Sequence, residues 1–112
     1  MDFKKANRVS KRLCKQYGII EPPAVLPLPY SRIGKRVGLG YYEKKYNEVG
    51  LNKYIMELWP DEPIIETIKH ELMHCLCHQE YGESGHGRHF KELCKKHGID
   101  EDTMLATKRE RN

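Results

Sequence analysis

The pentapeptide His70-Glu71-Leu72-Met73-His74 constrains this chain more than any other stretch. Its histidines meet only if the backbone between them is helical. On an α-helix, residues four apart lie one above the other, so both imidazoles can close on a single ion. Glu71 points about 100° further round the same helix, toward a water held by that ion instead of the ion itself. A general base belongs there. The fold must supply a helix with one side given to a metal group and another to the core.

The apolar pattern around the pentapeptide has that form. Ile64, Ile65, Ile68, Leu72, Cys75 and Leu76 recur with helical period and make a core-facing arc of about 120°, while Thr67, His70, Glu71, His74 and His78 fall on the other side. The pattern predicts a helix with Asp61 as its cap, Pro63 tolerated in the first turn, and an end near Gln79. The metal group then sits at the edge of the core, open to a cleft. Tyr81-Gly82-Glu83-Ser84-Gly85 breaks the helix, and a closing helix is expected from about Arg88 to Lys96, ended by Gly98.

Upstream, Asp2 is placed to cap a helix running to Tyr17, with Phe3, Ala6, Leu13 and Tyr17 on its apolar side and Gly18 as its stop. Glu21-Pro22-Pro23 through Pro27 and Pro29 reads as an extended connection with a short edge strand over Val25 to Leu28. Val37 to Tyr42 and Glu48 to Tyr54, separated by the polar run 43–47, read as a β-hairpin. From Asp100 the chain reads as a short turn or helix, and its last ten or so residues as a frayed tail.

With 112 residues and no internal repeat, the chain is expected to form one domain over 1–112. Charged residues make up 32% of it, yet the periodic apolar clusters argue for a globular fold and against disorder. No apolar run approaches a membrane span, and the charged start after Met1 does not resemble a signal-peptide core, so a cytoplasmic, membrane-free monomer is expected. Cys14, Cys75, Cys77 and Cys94 lack C-x-x-C spacing, which favours reduced thiols. Cys75 falls on the core side of the metal-motif helix; Cys77 has no obvious place. The net charge is +4, and Lys4, Lys5, Arg8, Lys11, Arg12 and Lys15 crowd the first helix, with Lys108, Arg109 and Arg111 at the other end. That stripe reads either as a solvated face or as a weak phosphate-binding surface for DNA.

Two helical histidines leave a catalytic zinc one ligand short of the usual three plus a water. His78, His86, His89 and Glu92 are the candidates. His78 stands about 12 Å along the helix axis from His70, too far to share an ion when zinc–nitrogen bonds are about 2.0–2.1 Å. Gly82, Gly85 and Gly87 allow the backbone to reverse, so His86 can swing back onto the His70/His74 face, and it is favoured over His89 and Glu92. His89 and His97 read as surface or supporting histidines. Arg88 and Tyr81 are candidates for stabilising a developing oxyanion if their loop folds over the metal.

The run from His70 to His74, the polar loop, and Gly85-His86-Gly87-Arg88-His89-Phe90-Lys91 together resemble the SprT-like family of zinc metalloproteases, whose pattern is HExxH followed by H-G-x-x-F/W. Val49-Gly50-Leu51-Asn52 and the approach Ile65-Glu66-Thr67-Ile68-Lys69 resemble the strand that precedes the family's active-site helix. The resemblance implies that His70, His74 and His86 bind zinc, that Glu71 is the catalytic base, and that Phe90 packs the loop against the helix. It also implies proteolysis near DNA, as in DNA–protein crosslink repair. No cysteine-rich zinc ribbon follows the catalytic unit, which weakens that last expectation. Cys77 stands where the metzincin pattern needs glycine, so that alternative is set aside.

The expected fold is α+β and zincin-like: a basic N-terminal helix, a small antiparallel sheet, the HExxH helix and a closing C-terminal helix. The expected function is a Zn2+-dependent endopeptidase acting on protein or peptide substrates. Its rival is a DNA-binding or interaction module whose zinc is structural and which turns nothing over.

Overall fold

A computed structural model describes residues 1–28 and 39–101. The start of the predicted hairpin at Val37 and Gly38, Pro29, and the basic C-terminal tail lie outside the described residues.

The first helix, α1, runs Phe3–Tyr17 as expected, because both its ends are chemically fixed. The Asp2 carboxylate accepts from Lys5 N at the start, and Gly18 takes a left-handed conformation (φ 76°) at the end. Val9, Ser10 and Cys14 join Ala6, Leu13 and Tyr17 on the buried side. All six lysines and arginines of this helix are exposed.

Three short strands follow, β1 (Ala24–Pro27), β2 (Gly40–Glu43) and β3 (Glu48–Leu51), in the spatial order β1-β3-β2. The β2–β3 hairpin is antiparallel, with Tyr41 opposite Gly50 and Tyr42 opposite Val49. The expectation of an antiparallel sheet fails for β1, which pairs parallel to β3, Val25 beside Val49. Its other edge is met by α1. Asn7 donates from Nδ2 to the Val25 carbonyl and accepts the Val25 N–H at Oδ1, both at 2.9 Å, so a side-chain amide takes the place of a neighbouring strand on β1's outer edge. A four-residue, proline-flanked strand carries no signal of its own direction.

The second correction concerns the end of β3. The strand stops at Leu51 and not Tyr54, because Asn52 accepts from Tyr54 N and Ile55 N and caps a short helix, α2 (Lys53–Leu58). The polypeptide then turns through Trp59 and Pro60 into α3 (Asp61–Tyr81). Asp61 is not its cap. Pro60 holds that position, and Asp61, in the first turn, accepts from Lys5 Nζ at 2.7 Å, tying α3 to α1. Past a left-handed Gly82 and a loop, α4 (Arg88–His97) closes the fold, ended by Gly98 (φ 67°).

Burial of α3 is wider than the predicted arc. Ile64, Ile68, Leu72, Cys75 and Leu76 are buried as expected, whereas Ile65 is only partly so, and Met73 and Cys77 are buried too. They join one apolar cluster with Leu13 and Tyr17 of α1, Val25, Val49 and Leu51 of the sheet, and Phe90, Leu93 and Cys94 of α4. The helix is thus wrapped by its neighbours, which gives Cys77 its place. All four cysteines are free and buried. Among the described residues, no helix is long and apolar enough to cross a membrane.

Candidate metal centre

One turn of α3 puts His70 and His74 on the same face, and the loop brings His86 to meet them. Gly82 (φ 66°) and Gly85 (φ 85°) hold backbone conformations that a side chain would strain, and these two residues reverse the chain within a few positions. The three Nε2 atoms form a near-equilateral triangle: 3.1 Å from His70 to His74, 3.1 Å from His74 to His86 and 3.3 Å from His86 to His70.

Mutual hydrogen bonding does not account for such a triangle. Each imidazole nitrogen offers either one N–H or one lone pair in the ring plane, so three of them cannot close a cycle. A cation does account for it. Nitrogens this close together fit an ion bound at about 2.0–2.1 Å from each, which His70, His74 and His86 would hold between them. Among the described residues this is the one group of three histidine, cysteine or acidic side chains able to hold a metal ion together. Burial supports the neutral imidazoles a metal requires: His74 is pushed down to about 3 by burial, and then by the charges His70 and His86 would carry.

Phe90 is the hub behind the triangle. It is fully buried, stacks on His74 with ring centres 4.2 Å apart and planes 17° apart, and meets His70 and His86 at 5.2 and 4.9 Å. One aromatic ring therefore touches all three imidazoles and fixes their tilt.

Glu71 lies beside the triangle and is 5% exposed. Burial raises its carboxyl to about 8 from an ordinary 4.5. Its neighbour across the cleft is Gly40 of β2. A Cβ at Gly40 would lie 2.9 Å from Thr67 Cγ2 and 3.3 Å from Glu71 Cγ, so only glycine lets the strand come this close. Gly40 had a sequence signal, a glycine inside an apolar strand, which often marks close backbone approach.

These groups line a cleft of about 500 Å³ whose walls are β2 with Lys44 on one side and Glu83 to His86 on the other. The other predicted positions fall outside the triangle. His78 lines the cleft, its ring 6.4 Å from that of Tyr42, and among the described residues its buried Nδ1 has no hydrogen-bond partner. His89 contacts Glu83, Glu92 accepts from Arg88 at 3.0 Å, and His97 packs on Tyr17. Arg88 is 86% exposed, Tyr81 stacks on His89, and neither lines the cleft. Residues 83–86 of the loop line the cleft, but the Tyr81 and Arg88 side chains, the candidates for an oxyanion, do not.

A helix carrying two histidines, a loop returning a third, and an edge strand beside them make a site whose three imidazoles fit a metal ion. The chain belongs to the SprT-like family, which it matches over residues 4–109. It is similar to Protein SprT of Glaesserella parasuis serovar 5, 28% identical over 96 residues that make up 85% of this chain and 54% of the relative. The chain thus spans about half the length of that relative. In fold it is similar to the crystal structure of the metallopeptidase zymogen of Methanocaldococcus jannaschii jannalysin, with a TM-score of 0.65 and 18% identity over 100% of this chain and 99% of that one.

Proposed function

We propose that the protein is a zinc-dependent endopeptidase in which His70, His74 and His86 hold the metal and Glu71 is the general base. The observation that carries this reading is the convergence of three imidazole nitrogens beside a buried carboxylate at the foot of an open cleft. A bound zinc ion would supply a polarised carbonyl, a water acidified to a pKa of about 7, and a positive charge favouring ionised Glu71. Glu71 takes the proton from the attacking water and passes it to the leaving amine. The low-dielectric surroundings that raise its carboxyl also suit it to give the proton back.

Strand β2 supports an extended peptide as substrate. Asn52 N donates to the Leu39 carbonyl, and the antiparallel alternation then turns the backbone groups of Tyr41 toward β3 and those of Gly40 and Tyr42 outward, along the cleft. A peptide pairing with this edge is held by its backbone, so cleavage tolerates many sequences.

The test is cleavage of a disordered protein by the zinc-loaded chain. Glu71→Gln should keep one zinc per chain and lose at least about a hundredfold in rate. Loss of zinc with activity would make Glu71 a ligand, and unchanged activity would remove the mechanism. A folded chain that binds zinc and never cleaves would favour the rival, a binding module with a structural metal.

A DNA-associated substrate is the finer reading, supported by the exposed stripe of Lys4, Lys5, Arg8, Lys11, Arg12 and Lys15. Lys5 is partly committed to Asp61. Contacts of this kind are weak, indifferent to sequence, and weaken steeply with salt. Changing Lys4, Arg8, Lys11 and Lys15 to Gln should lower DNA affinity and spare cleavage of a free substrate; equal binding by the variant would leave the stripe a solvated face.

A further inference from the structure

The third imidazole has a problem the other two lack. His70 and His74 are set by a helix, whereas His86 sits on a loop, is exposed, and is flanked by glycines at 82, 85 and 87 around which there is open space. Glycine-rich backbone loses the most freedom when ordered, so such a loop presents a ligand poorly unless something else holds it.

We propose that Tyr81, Glu83 and His89 form a clamp that positions His86 for metal binding, a role resting on the assignment of His86 as a ligand. Tyr81 closes α3, Glu83 opens the loop, and His89 lies in the first turn of α4. The His89 ring lies parallel to that of Tyr81, with centres 3.9 Å apart and planes 6° apart. Its Nδ1–H donates to the Glu83 carboxylate and is within reach of both oxygens, Oε2 at 3.1 Å. One imidazole thus joins the end of α3, the near limb of the loop and the start of α4, and His86 is carried on the short span between them.

A surface ion pair serving only overall stability would have no such placement. His89 and Glu83 are about two-fifths exposed and Tyr81 nearly half, so they contribute little to the core, and their contacts all close on the same loop. Glu83 also lines the cleft, which puts the clamp against the metal site itself. The three are positioning residues: none belongs to the group of side chains able to hold a metal ion together.

The measurement is the rate at which zinc leaves the loaded, full-length protein for a chromophoric chelator, with the absorption spectrum of the Co(II)-substituted protein as a second readout. His89→Phe keeps the stack on Tyr81 and removes the donor; Glu83→Ala removes the acceptor. Each should speed zinc release about tenfold or more and alter the cobalt spectrum. The double variant should be no faster than the worse single, because both changes break the same contact. The melting temperature of the metal-free protein should hardly move. Release within about twofold of wild type from both singles, beside fast release from His86→Ala, overturns the clamp alone. Equally slow release from His86→Ala overturns the ligand assignment and the clamp with it. Faster release matched by a falling metal-free melting temperature makes the trio a general stabiliser and also overturns the proposal.

Discussion

One side of α3 buries Ile64, Ile68, Leu72 and Leu76 in the apolar cluster, and the other buries Thr67, His70 and Glu71 against β2 and the metal loop. Burial is nearly equal, but its physics is opposite. On the apolar side, removal from water stabilises the fold at about 25 cal/mol per Å² and is tolerant of which hydrocarbon does it. On the polar side burial costs stability, since a desolvated carboxyl and imidazole each lose hydration, and only a specific arrangement of partners offsets the loss. A small protein tolerates the second because the first runs along the same helix.

The largest effect expected from breaking this comparison is on the apolar side. Ile68 is fully buried. Ile68→Ala should cost about 2–5 kcal/mol in unfolding free energy, measured by denaturant titration of the zinc-loaded protein, while the folded fraction keeps its zinc stoichiometry. Loss of metal from a still-folded variant would mean that the two sides are not separable.

The polar side yields a pH signature in the metal-free protein. Glu71 is raised to about 8 in the folded state from an ordinary 4.5. The folded chain therefore holds a proton that the unfolded chain has released between those values. The associated stability is complete below about pH 4.5 and is lost as pH rises through about 8. His74 works the other way: depressed to about 3, it contributes stability present above its ordinary 6.5 and lost as pH falls. It is common to wild type and variant and cancels in their difference. With chelator present, Glu71→Gln should melt like wild type near pH 4 and higher than wild type at pH 9. A difference independent of pH would show that the carboxyl is not desolvated as its burial implies.

The meeting of His70, His74 and His86 was legible in the sequence because its signals are local. Two histidines at helical spacing and a third framed by glycines state their geometry between positions 70 and 87, and Asp2 and Gly18 mark the ends of α1 in the same way. What stayed hidden depends on contacts between distant segments. The outer edge of β1 is paired by Asn7, far from it in sequence, and the Asn52 cap was masked by Tyr54 and Ile55, residues that favour strands. Where Tyr81 and Arg88 point was likewise not legible, because it depends on their contacts with His89 and Glu92.

Gly40 is the place where the strand side of the cleft meets the polar side of α3, and it carries the smallest and most specific effect. The Thr67 hydroxyl donates to the Pro63 carbonyl at 2.9 Å, which fixes its rotamer and holds its methyl where a Gly40 Cβ would fall. Gly40→Ala should therefore cost about 1–3 kcal/mol and lower the cleavage rate by displacing Glu71 or the edge of β2. Thr67→Ser keeps the hydroxyl bond and removes the methyl, so adding it should recover part of the stability lost by Gly40→Ala. The Glu71 Cγ contact at 3.3 Å remains in the double variant, and the cleavage rate should recover less than the stability does. That split separates the two contacts: full recovery of both would mean that the methyl alone requires glycine, and recovery of neither would mean that β2 is held off by something other than α3.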